Sequence, residues 1–272
     1  MHPRPDLLLN TATIELWPAY LLRARGNRDA RAMARARYVL RRKRDGRFLA
    51  ADLPEGLLPL VPRLRAEVGL DDALDWLEST QQSRMHRAAA LDAAMRVLPL
   101  DGLASRLDAL GLDADAYAHR TGLDLMPEPA ALAFAGFDRY GRPLWLQPEA
   151  GRAWRRMRDA ALRDAVVLEA ISGYRSHAYQ LGIFERKRAR GLAVEDILTV
   201  NAAPGFSEHH GGCALDIGAP GEPPAEASFE STPAFAWLSR HAAGHGFVMS
   251  YPRGNPHGIV YEPWHWLWHP AT

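Results

Sequence analysis

The sequence of 272 residues contains a single cysteine, Cys213. One cysteine excludes an intramolecular disulfide and any zinc site built from several thiolates. No apolar run approaches the roughly 20 residues needed to cross a bilayer, so no membrane span is expected. Lys and Arg nearly balance Asp and Glu, giving a formal net charge of +1. This balance argues against nucleic acid as a partner.

Several common catalytic motifs are also missing. The sequence contains no H-E-x-x-H, no S-x-x-K, no G-x-S-x-G and no P-loop. These absences exclude the helical zinc-protease site, the serine-type penicillin-binding enzymes, the α/β-hydrolase nucleophile and the nucleotide-binding loop. The amino-terminal segment lacks the charged lead and the cleavage site of a secretory signal, so a cytoplasmic location is expected.

The residue composition and the hydrophobic pattern of the sequence change near residue 128. Residues 1–127 are rich in Ala, Leu and Arg and are predicted to form a helical region of unknown role, with the clearest helix from Asp71 to Leu98. Residues 128–272 mix helical and strand patterns without regular βαβ alternation, which indicates an α+β domain with a small antiparallel sheet and flanking helices. Its predicted elements are a hairpin around Tyr140-Gly141, helices at 148–164, 176–190 and 233–243, and strands at 166–172, 212–218, 247–251 and 258–261.

The segment from Arg23 to Arg47 is strongly basic, with Arg41-Arg42-Lys43-Arg44 beside a predicted turn at Asp45-Gly46. It has two interpretations. One is a surface for an anionic polymer or for lipid headgroups, and the other, which we favour, is a solvated helix face.

The segment S-E-H-H-G-G-C-A-L-D, from Ser207 to Asp216, contains candidate metal ligands. In a strand, Asp216 faces away from Leu215 and Ile217 because side chains alternate between the two faces. Gly211-Gly212 interrupts the strand and allows His209 to turn back toward Asp216. An imidazole and a carboxylate are suitable zinc ligands, although on their own they also fit a structural hydrogen-bonded pair.

The segment Y-E-P-W-H-W, from Tyr261 to Trp266, supplies a third candidate ligand. Pro263 favours an extended backbone at Glu262 and kinks the strand, which leaves His265 on the face opposite the two tryptophans. Two imidazoles and one carboxylate leave a fourth zinc position open for water, as in catalytic sites. Glu262 is then placed to act as a general base. The plainer interpretation is an aromatic strand whose polar residues face solvent.

The two segments together resemble the paired signature of the D-Ala-D-Ala metallopeptidases, S-x-H-x-x-G-x-A-x-D followed by E-x-W-H. That family is grouped with lysostaphin-type peptidases and the hedgehog signalling domain. The segments S-G-Y-R-S, beginning at Ser172, and G-F-V-M-S-Y-P, ending at Pro252, are also similar to segments of the family. The resemblance runs from about Phe137 to the C-terminus. His245 departs from it, since the family often has an aromatic residue there.

The resemblance implies one zinc ion per chain, with His209, Asp216 and His265 as ligands and Glu262 as base. It also implies that Arg175 contacts the substrate, either at the terminal carboxylate or at the oxyanion, and a guanidinium fork suits such anionic groups. The further candidate substrate-binding residues are Gln180, Ser207 and Tyr251.

The function that follows is a zinc D-alanyl-D-alanine carboxypeptidase acting on peptides derived from peptidoglycan. Two rivals use the same scaffold: an L,D-carboxypeptidase acting on tetrapeptide stems and a peptidoglycan endopeptidase. Arg175 with Gln180 disfavours the endopeptidase, because a cleft that captures a free carboxylate selects chain ends. A rival of another class is a non-catalytic zinc-binding module, which would not need Glu262 as a base.

Overall fold

The computed structural model describes residues 7–82 and 96–270, and the chain forms two compact units. Unit 1 comprises Met1–Pro99 and Pro129–Phe134, and unit 2 comprises Leu100–Glu128 and Ala135–Thr272. Both units contain helices and antiparallel strands, so the predicted α+β class is confirmed. The contacts assign Leu100–Glu128 to unit 2, whereas the composition alone placed the division near residue 128.

Unit 1 is built on an antiparallel sheet with the strand order β5-β4-β3-β2-β1-β6. The strands are β1 (Leu7–Asn10), β2 (Ile14–Pro18), β3 (Tyr38–Arg42), β4 (Phe48–Leu53), β5 (Gly56–Pro59) and the first part of β6 (Ala131–Phe137). The helices of this unit are α1 (Asn27–Met33) and α2 (Leu70–Gln82). Ala73 and Leu77 of α2 pack on a core that includes Leu16 and Leu40.

The prediction of a helical amino-terminal region is therefore wrong for most of residues 7–82. All six residues of β4, Phe48–Leu53, are buried, so the strand lacks the polar–apolar alternation that would have identified it. Its Ala and Leu residues favour helix intrinsically, but pairing with two neighbouring strands overrides that preference.

The long helix predicted from Asp71 to Leu98 is confirmed as far as Gln82. Residues 83–95 lie outside the described part of the chain. Beyond them the helical assignment fails, because Val97 makes an isolated antiparallel bridge with Pro129.

The basic segment of unit 1 is partly neutralised by carboxylates. Arg41 pairs with Glu15 at 2.6 Å, and Arg42 pairs with both Asp45 and Glu67. The predicted turn at Asp45-Gly46 is present and joins β3 to β4. Arg41 to Arg44 thus lie on a strand and a turn, whereas Arg28 and Arg31 are exposed on α1, so the solvated helix face describes only the first part of the segment.

Unit 2 contains a four-stranded antiparallel sheet with the order β10-β11-β9-β8. Its strands are β8 (Glu169–Ser172), β9 (Ala214–Gly218), β10 (Phe247–Met249) and β11 (His265–Trp268), with β7 (Pro143–Leu146) following the end of β6. Its helices are α3 (Leu103–Asp108), α4 (Ala114–Thr121), α5 (Pro148–Arg163), α6 (His177–Arg188), α7 (Val194–Leu198) and α8 (Pro233–His241).

The core of unit 2 lies between α5 and one face of this sheet. Trp154 and Met157 of α5 contact a cluster that includes Leu215 and Ile217 of β9 and Trp266 of β11. The alternation expected for β9 and β11 is confirmed, because their apolar residues enter this cluster. The polar residues of the same two strands are left for the other side of the sheet.

Most predicted elements of unit 2 are present with small shifts at their ends. Ser176 caps α6 as predicted, since its hydroxyl accepts a hydrogen bond from Tyr179 N at 3.1 Å. The strand predicted from Val166 begins at Glu169, because Val166 N still bonds to the end of α5. The strand predicted at 258–261 is absent from the described residues. Gly258 has a φ of 71°, which bends the chain at the start of this segment, and Val260 N donates to Thr199 O rather than to a strand of the sheet.

Candidate metal centre and active site

The three predicted ligands lie together, buried in unit 2. Asp216 Oδ1 is 3.2 Å from His209 Nε2 and 3.1 Å from His265 Nδ1. One donor atom from each residue falls within a group whose members are all within 4.8 Å of one another. The two imidazole rings meet edge to face with centroids 4.8 Å apart. The sequence therefore identified a real three-residue cluster.

Local backbone structure explains this convergence. His209 lies in a 3₁₀ turn, Glu208–Gly211, and Gly212 closes the turn with φ of 71°. A left-handed residue there redirects the chain into β9, and glycine adopts that conformation without steric cost. Asp216 of β9 is directly opposite His265 in the β9–β11 register. Cross-strand neighbours on one face are about 5 Å apart, which delivers the carboxylate to the second imidazole.

The outer ring nitrogens of both histidines are also hydrogen-bonded. His209 Nδ1 lies 2.7 Å from Gly173 O, and His265 Nε2 lies 2.7 Å from Glu208 Oε2. Partners of this kind fix the orientation of a metal-binding imidazole and increase its basicity. Sequence reasoning missed Glu208, although its position next to His209 was a usable signal.

The electrostatics of the cluster suit a cation. Burial lowers the pKa of His209 to about 4, and the charge of Arg175 contributes to this shift. Because Gly173 O can only accept, His209 Nδ1 carries the hydrogen and neutral Nε2 directs its lone pair at Asp216. A lone pair facing a carboxylate at 3.2 Å is unfavourable unless a positive charge lies between them.

The pKa values of Asp216 and His265 are both shifted toward the charged form of the side chain. Burial acts to raise the pKa of Asp216, yet the hydrogen bond from His265 and the charge of Arg175 hold it well below its ordinary value. Burial acts to lower the pKa of His265, but hydrogen bonds to Asp216 and Glu208 outweigh it and raise the pKa to about 10. Two imidazoles and one carboxylate form a donor set that zinc accepts readily.

Glu262 lies beside this cluster, with Oε2 4.0 Å from His265 Nδ1. Its backbone N donates to Tyr251 O, and its backbone O accepts from His265 N, so the kink predicted at Pro263 holds the carboxylate next to the ligands. Burial raises the pKa of Glu262 to about 7, and the charge of Asp216 adds to this shift. A carboxylate with a pKa near neutrality is suited to both accept and return a proton.

A cavity of about 300 Å³ opens over these residues. All of the predicted site residues line it: Arg175, Gln180, Ser207, His209, Asp216, Tyr251, Glu262 and His265. The tilted ring of Tyr251 packs against that of His265 with centroids 4.8 Å apart. The ligands, the candidate base and the candidate substrate-binding residues therefore share one cleft.

Arg175 and Gln180 differ in what they offer a ligand. Arg175 Nη2 is 3.4 Å from Asp216 Oδ2, so its guanidinium lies beside the carboxylate of the candidate metal site. Gln180 Nε2 is already used in a 2.8 Å bond to Ala202 O, which leaves Oε1 without a donor among the described residues. Gln180 therefore presents the acceptor Oε1, together with the second N–H of its amide.

His210 is a second residue of the site to which the sequence analysis assigns no role. It is fully buried, and its Nε2 accepts from Gly205 N at 3.1 Å. Nδ1 then carries the hydrogen and donates to Arg175 O at 2.6 Å, which fixes the backbone next to the guanidinium. Burial holds the pKa of His210 well below its ordinary value, so the ring stays neutral.

Comparison with known proteins places this architecture in a family. The family model described as VanY, D-alanyl-D-alanine carboxypeptidase, matches residues 143–271. YodJ of Bacillus subtilis (strain 168), a carboxypeptidase by name, is 35% identical over 44% of this chain and 45% of its own length. VanXYC of Enterococcus gallinarum, a bifunctional D-Ala-D-Ala dipeptidase and carboxypeptidase, is 31% identical over 51% of this chain and 73% of its own.

A solved structure of a mutant of the D,D-pentapeptidase VanY in complex with Zn(II) is 28% identical. The match covers 46% of this chain and 73% of that one, with a TM-score of 0.39. The present chain thus spans less than half the length of YodJ but nearly three quarters of VanXYC. With the family model on the same half of the chain that carries the His–Asp–His cluster, the protein belongs to the VanY family of D-alanyl-D-alanine carboxypeptidases.

Proposed function

We propose that this protein is a zinc-dependent D-alanyl-D-alanine carboxypeptidase acting on peptidoglycan stem peptides, with its catalytic residues in unit 2. The observation that carries the proposal is the convergence of His209, Asp216 and His265 in a cleft that also contains Glu262. A purely structural metal site has no use for a buried carboxylate whose pKa is raised to about 7. This disfavours the non-catalytic zinc-binding module.

His209, Asp216 and His265 would hold one zinc ion. When bound, the ion supplies a Lewis acid that polarises the scissile carbonyl and increases the acidity of a water molecule. Glu262 takes the proton of the attacking water on its carboxylate. As the peptide bond breaks, Glu262 returns this proton to the nitrogen of the departing D-Ala, which leaves as a neutral amine.

Arg175 is proposed to bind the carboxylate of the terminal D-Ala. Its guanidinium lies 3.4 Å from Asp216. The carboxylate of the terminal D-Ala must lie close to the metal ligands, because one residue spans only about 3.5 Å. Arg175 is therefore within reach of that carboxylate. His210 holds the backbone of Arg175, and Glu208 holds the ring of His265. These two residues position others and are not themselves proposed to touch the substrate.

The direct test is the release of D-Ala by the zinc-loaded protein. We expect an acetylated peptide ending in D-Ala-D-Ala to lose one D-Ala. Glu262→Gln should keep zinc and lower kcat by about 100-fold or more, the usual scale for a positioned general base. D-Ala release is measured by chromatography, and zinc content by metal analysis of the same samples. Wild-type turnover in zinc-loaded Glu262→Gln would refute the role of Glu262.

Amidation of the substrate separates the carboxypeptidase from the endopeptidase. The amide lacks the charge that Arg175 is proposed to bind, so kcat/KM of the wild type should fall by about 10- to 150-fold. Arg175→Ala should damage cleavage of the free acid far more than cleavage of the amide. The comparison of two proteins with two substrates isolates the coupling.

The opposite outcomes are equally informative. Equal cleavage of acid and amide by the wild type would favour the endopeptidase. Equal damage to both substrates by Arg175→Ala would place the guanidinium at the oxyanion instead. A peptide ending in one D-Ala after an L-residue, cleaved faster than the D-Ala-D-Ala peptide, would favour the L,D-carboxypeptidase.

A further inference from the structure

The cavity contains a second cationic side chain that the proposed mechanism does not use. Lys187 lines the same cleft as Glu262 and Arg175. Among the described residues, no carboxylate lies within 4 Å of its ammonium group, whereas many arginines of the chain are ion-paired. Burial lowers the pKa of Lys187, and the charge of Glu262 opposes this shift, which ties the lysine electrostatically to the candidate base.

The neighbouring cations of α6 do not share this position. Arg186 stacks on the ring of Tyr179 at 5.7 Å, and Arg188 bonds to Ala109 O. Neither of them lines the cavity. Lys187 is therefore the cation of this last helical turn that faces the cleft.

Helix geometry separates Lys187 from Gln180. Gln180 and Lys187 are seven residues apart, which puts them on the same face of α6 and about 10 Å apart along its axis. Gln180 lies at the end of the helix near Arg175. A spacing of about 10 Å corresponds to roughly three residues of extended peptide.

Part of the wall of the same cleft is apolar. Val200 and Val260 line the cleft, and 40% and 45% of their respective surfaces are exposed. Val260 N bonds to Thr199 O, which keeps the two valine-bearing segments together. An aliphatic chain that ends in a carboxylate matches such a wall followed by an ammonium group.

We propose that Lys187 is a second carboxylate-binding residue of the cleft, and that it selects peptides with a side-chain carboxylate on the amino side of the scissile bond. This inference rests on the proposed function. Only the terminal D-Ala follows the scissile bond, and its carboxylate must lie within one residue of the ligands, where Arg175 is. A carboxylate at Lys187 must therefore belong to a residue that precedes the bond.

The test uses acetyl-X-D-Ala-D-Ala peptides in which X is L-2-aminopimelic acid, an aliphatic residue with a carboxylate at its end. A matched peptide carries the side-chain amide, and a third carries the amide of the terminal carboxylate. The zinc-loaded wild type should show a KM about tenfold lower for the side-chain acid than for its amide, with similar kcat, because one charge-assisted hydrogen bond is lost.

Lys187→Met should raise KM about tenfold for the side-chain acid and leave KM for the side-chain amide unchanged. Lys187→Arg should retain most of the preference, since it keeps the charge. Arg190→Met is the matched control: Arg190 is an exposed cation three residues further along and does not line the cleft, so its removal should change neither value.

Three results separate the possible failures. If the wild type releases no D-Ala from any of the peptides, the proposed function falls. If it cleaves the side-chain acid and amide with equal KM, this inference alone falls. If the effect of Lys187→Met disappears on amidating the terminal carboxylate instead, Lys187 binds the terminus and the assignment to a preceding residue is overturned.

Discussion

At the residue scale, the candidate site depends on side chains that hold other side chains. Glu208 accepts from the outer nitrogen of His265, and His210 donates to the backbone of Arg175. Both are buried or nearly so, which makes these contacts sensitive to the loss of one partner. The sequence places Glu208 and His210 on either side of His209, but it does not show which groups they bond, because each contact joins separate segments of the chain.

Glu208→Gln tests the first of these contacts. The amide retains the size of the side chain but loses the charge that orients and polarises His265. We expect zinc affinity to fall by about 10- to 100-fold, the usual effect of losing such a partner. The measurement is a competition between the metal-free protein and a chelator of known zinc affinity.

Two further variants serve as controls for that experiment. His265→Ala should lose stoichiometric zinc altogether, and Glu195→Gln, on the exposed surface of α7, should bind zinc as the wild type does. An unchanged zinc affinity in Glu208→Gln would mean that His265 is held by its strand alone.

At the element scale, the site depends on the antiparallel pairing of β9, β11 and β10. The register sets Asp216 opposite His265, and the next strand, β10, secures the outer edge of β11. Gly246 begins this last pairing: its φ is 85°, and its carbonyl accepts from His269 N. A Cβ atom at this position would lie 2.8 Å from His269 O.

Gly246→Ala should therefore destabilise the protein by more than about 2 kcal/mol. Alanine disfavours this backbone conformation, and its Cβ would clash with the backbone oxygen of His269, which is held in the sheet. The free energy of unfolding is measured by urea denaturation. Gly244→Ala is the matched control, since a Cβ there meets nothing within 4 Å, and its effect should stay within about 1 kcal/mol. Similar losses in the two variants would show that the close approach at Gly246 is unimportant.

At the scale of the whole molecule, the chain forms two compact units, and the candidate site lies in one of them. Unit 1 has a core of its own, formed by β-strands and α2, and all residues of the candidate site belong to unit 2. No helix among the described residues is long and apolar enough to span a bilayer. The family model matches residues 143–271, which belong to unit 2.

Zinc binding should therefore protect unit 2 selectively from hydrogen exchange. At a free zinc concentration of 100 times Kd, the bound state is stabilised by about 2.7 kcal/mol. Amides that exchange only after the site opens should then slow by about 100-fold. We expect this at 208–218 and 262–268, and no change at 38–59 in unit 1. The exchange is measured by mass spectrometry. Equal slowing in both regions would contradict a metal site confined to unit 2.

Much of the candidate site could be predicted from the sequence because its chemistry is concentrated in short segments. His209 and Asp216 are seven positions apart, and Glu262 and His265 are three apart, so glycine, proline and strand alternation made each pair a candidate, and the family resemblance implied their roles. The cap at Ser176 and the turn at Gly212 are equally local. Such features depend on residues that are close together in the chain, so they can be predicted from the sequence.

What only the tertiary structure decided depends on contacts between distant segments. The strands of unit 1 carry residues that favour helix, and they form a sheet because each pairs with neighbours and is buried there. One N–H of Gln180 donates to Ala202 O, and the ring of His265 is held by Glu208. Lys187 faces the cleft only because α6 packs with that side inward. The sequence determined which groups could perform the chemistry, and packing decided which atoms of those groups remain available, because hydrogen bonds and burial are set by neighbours in space.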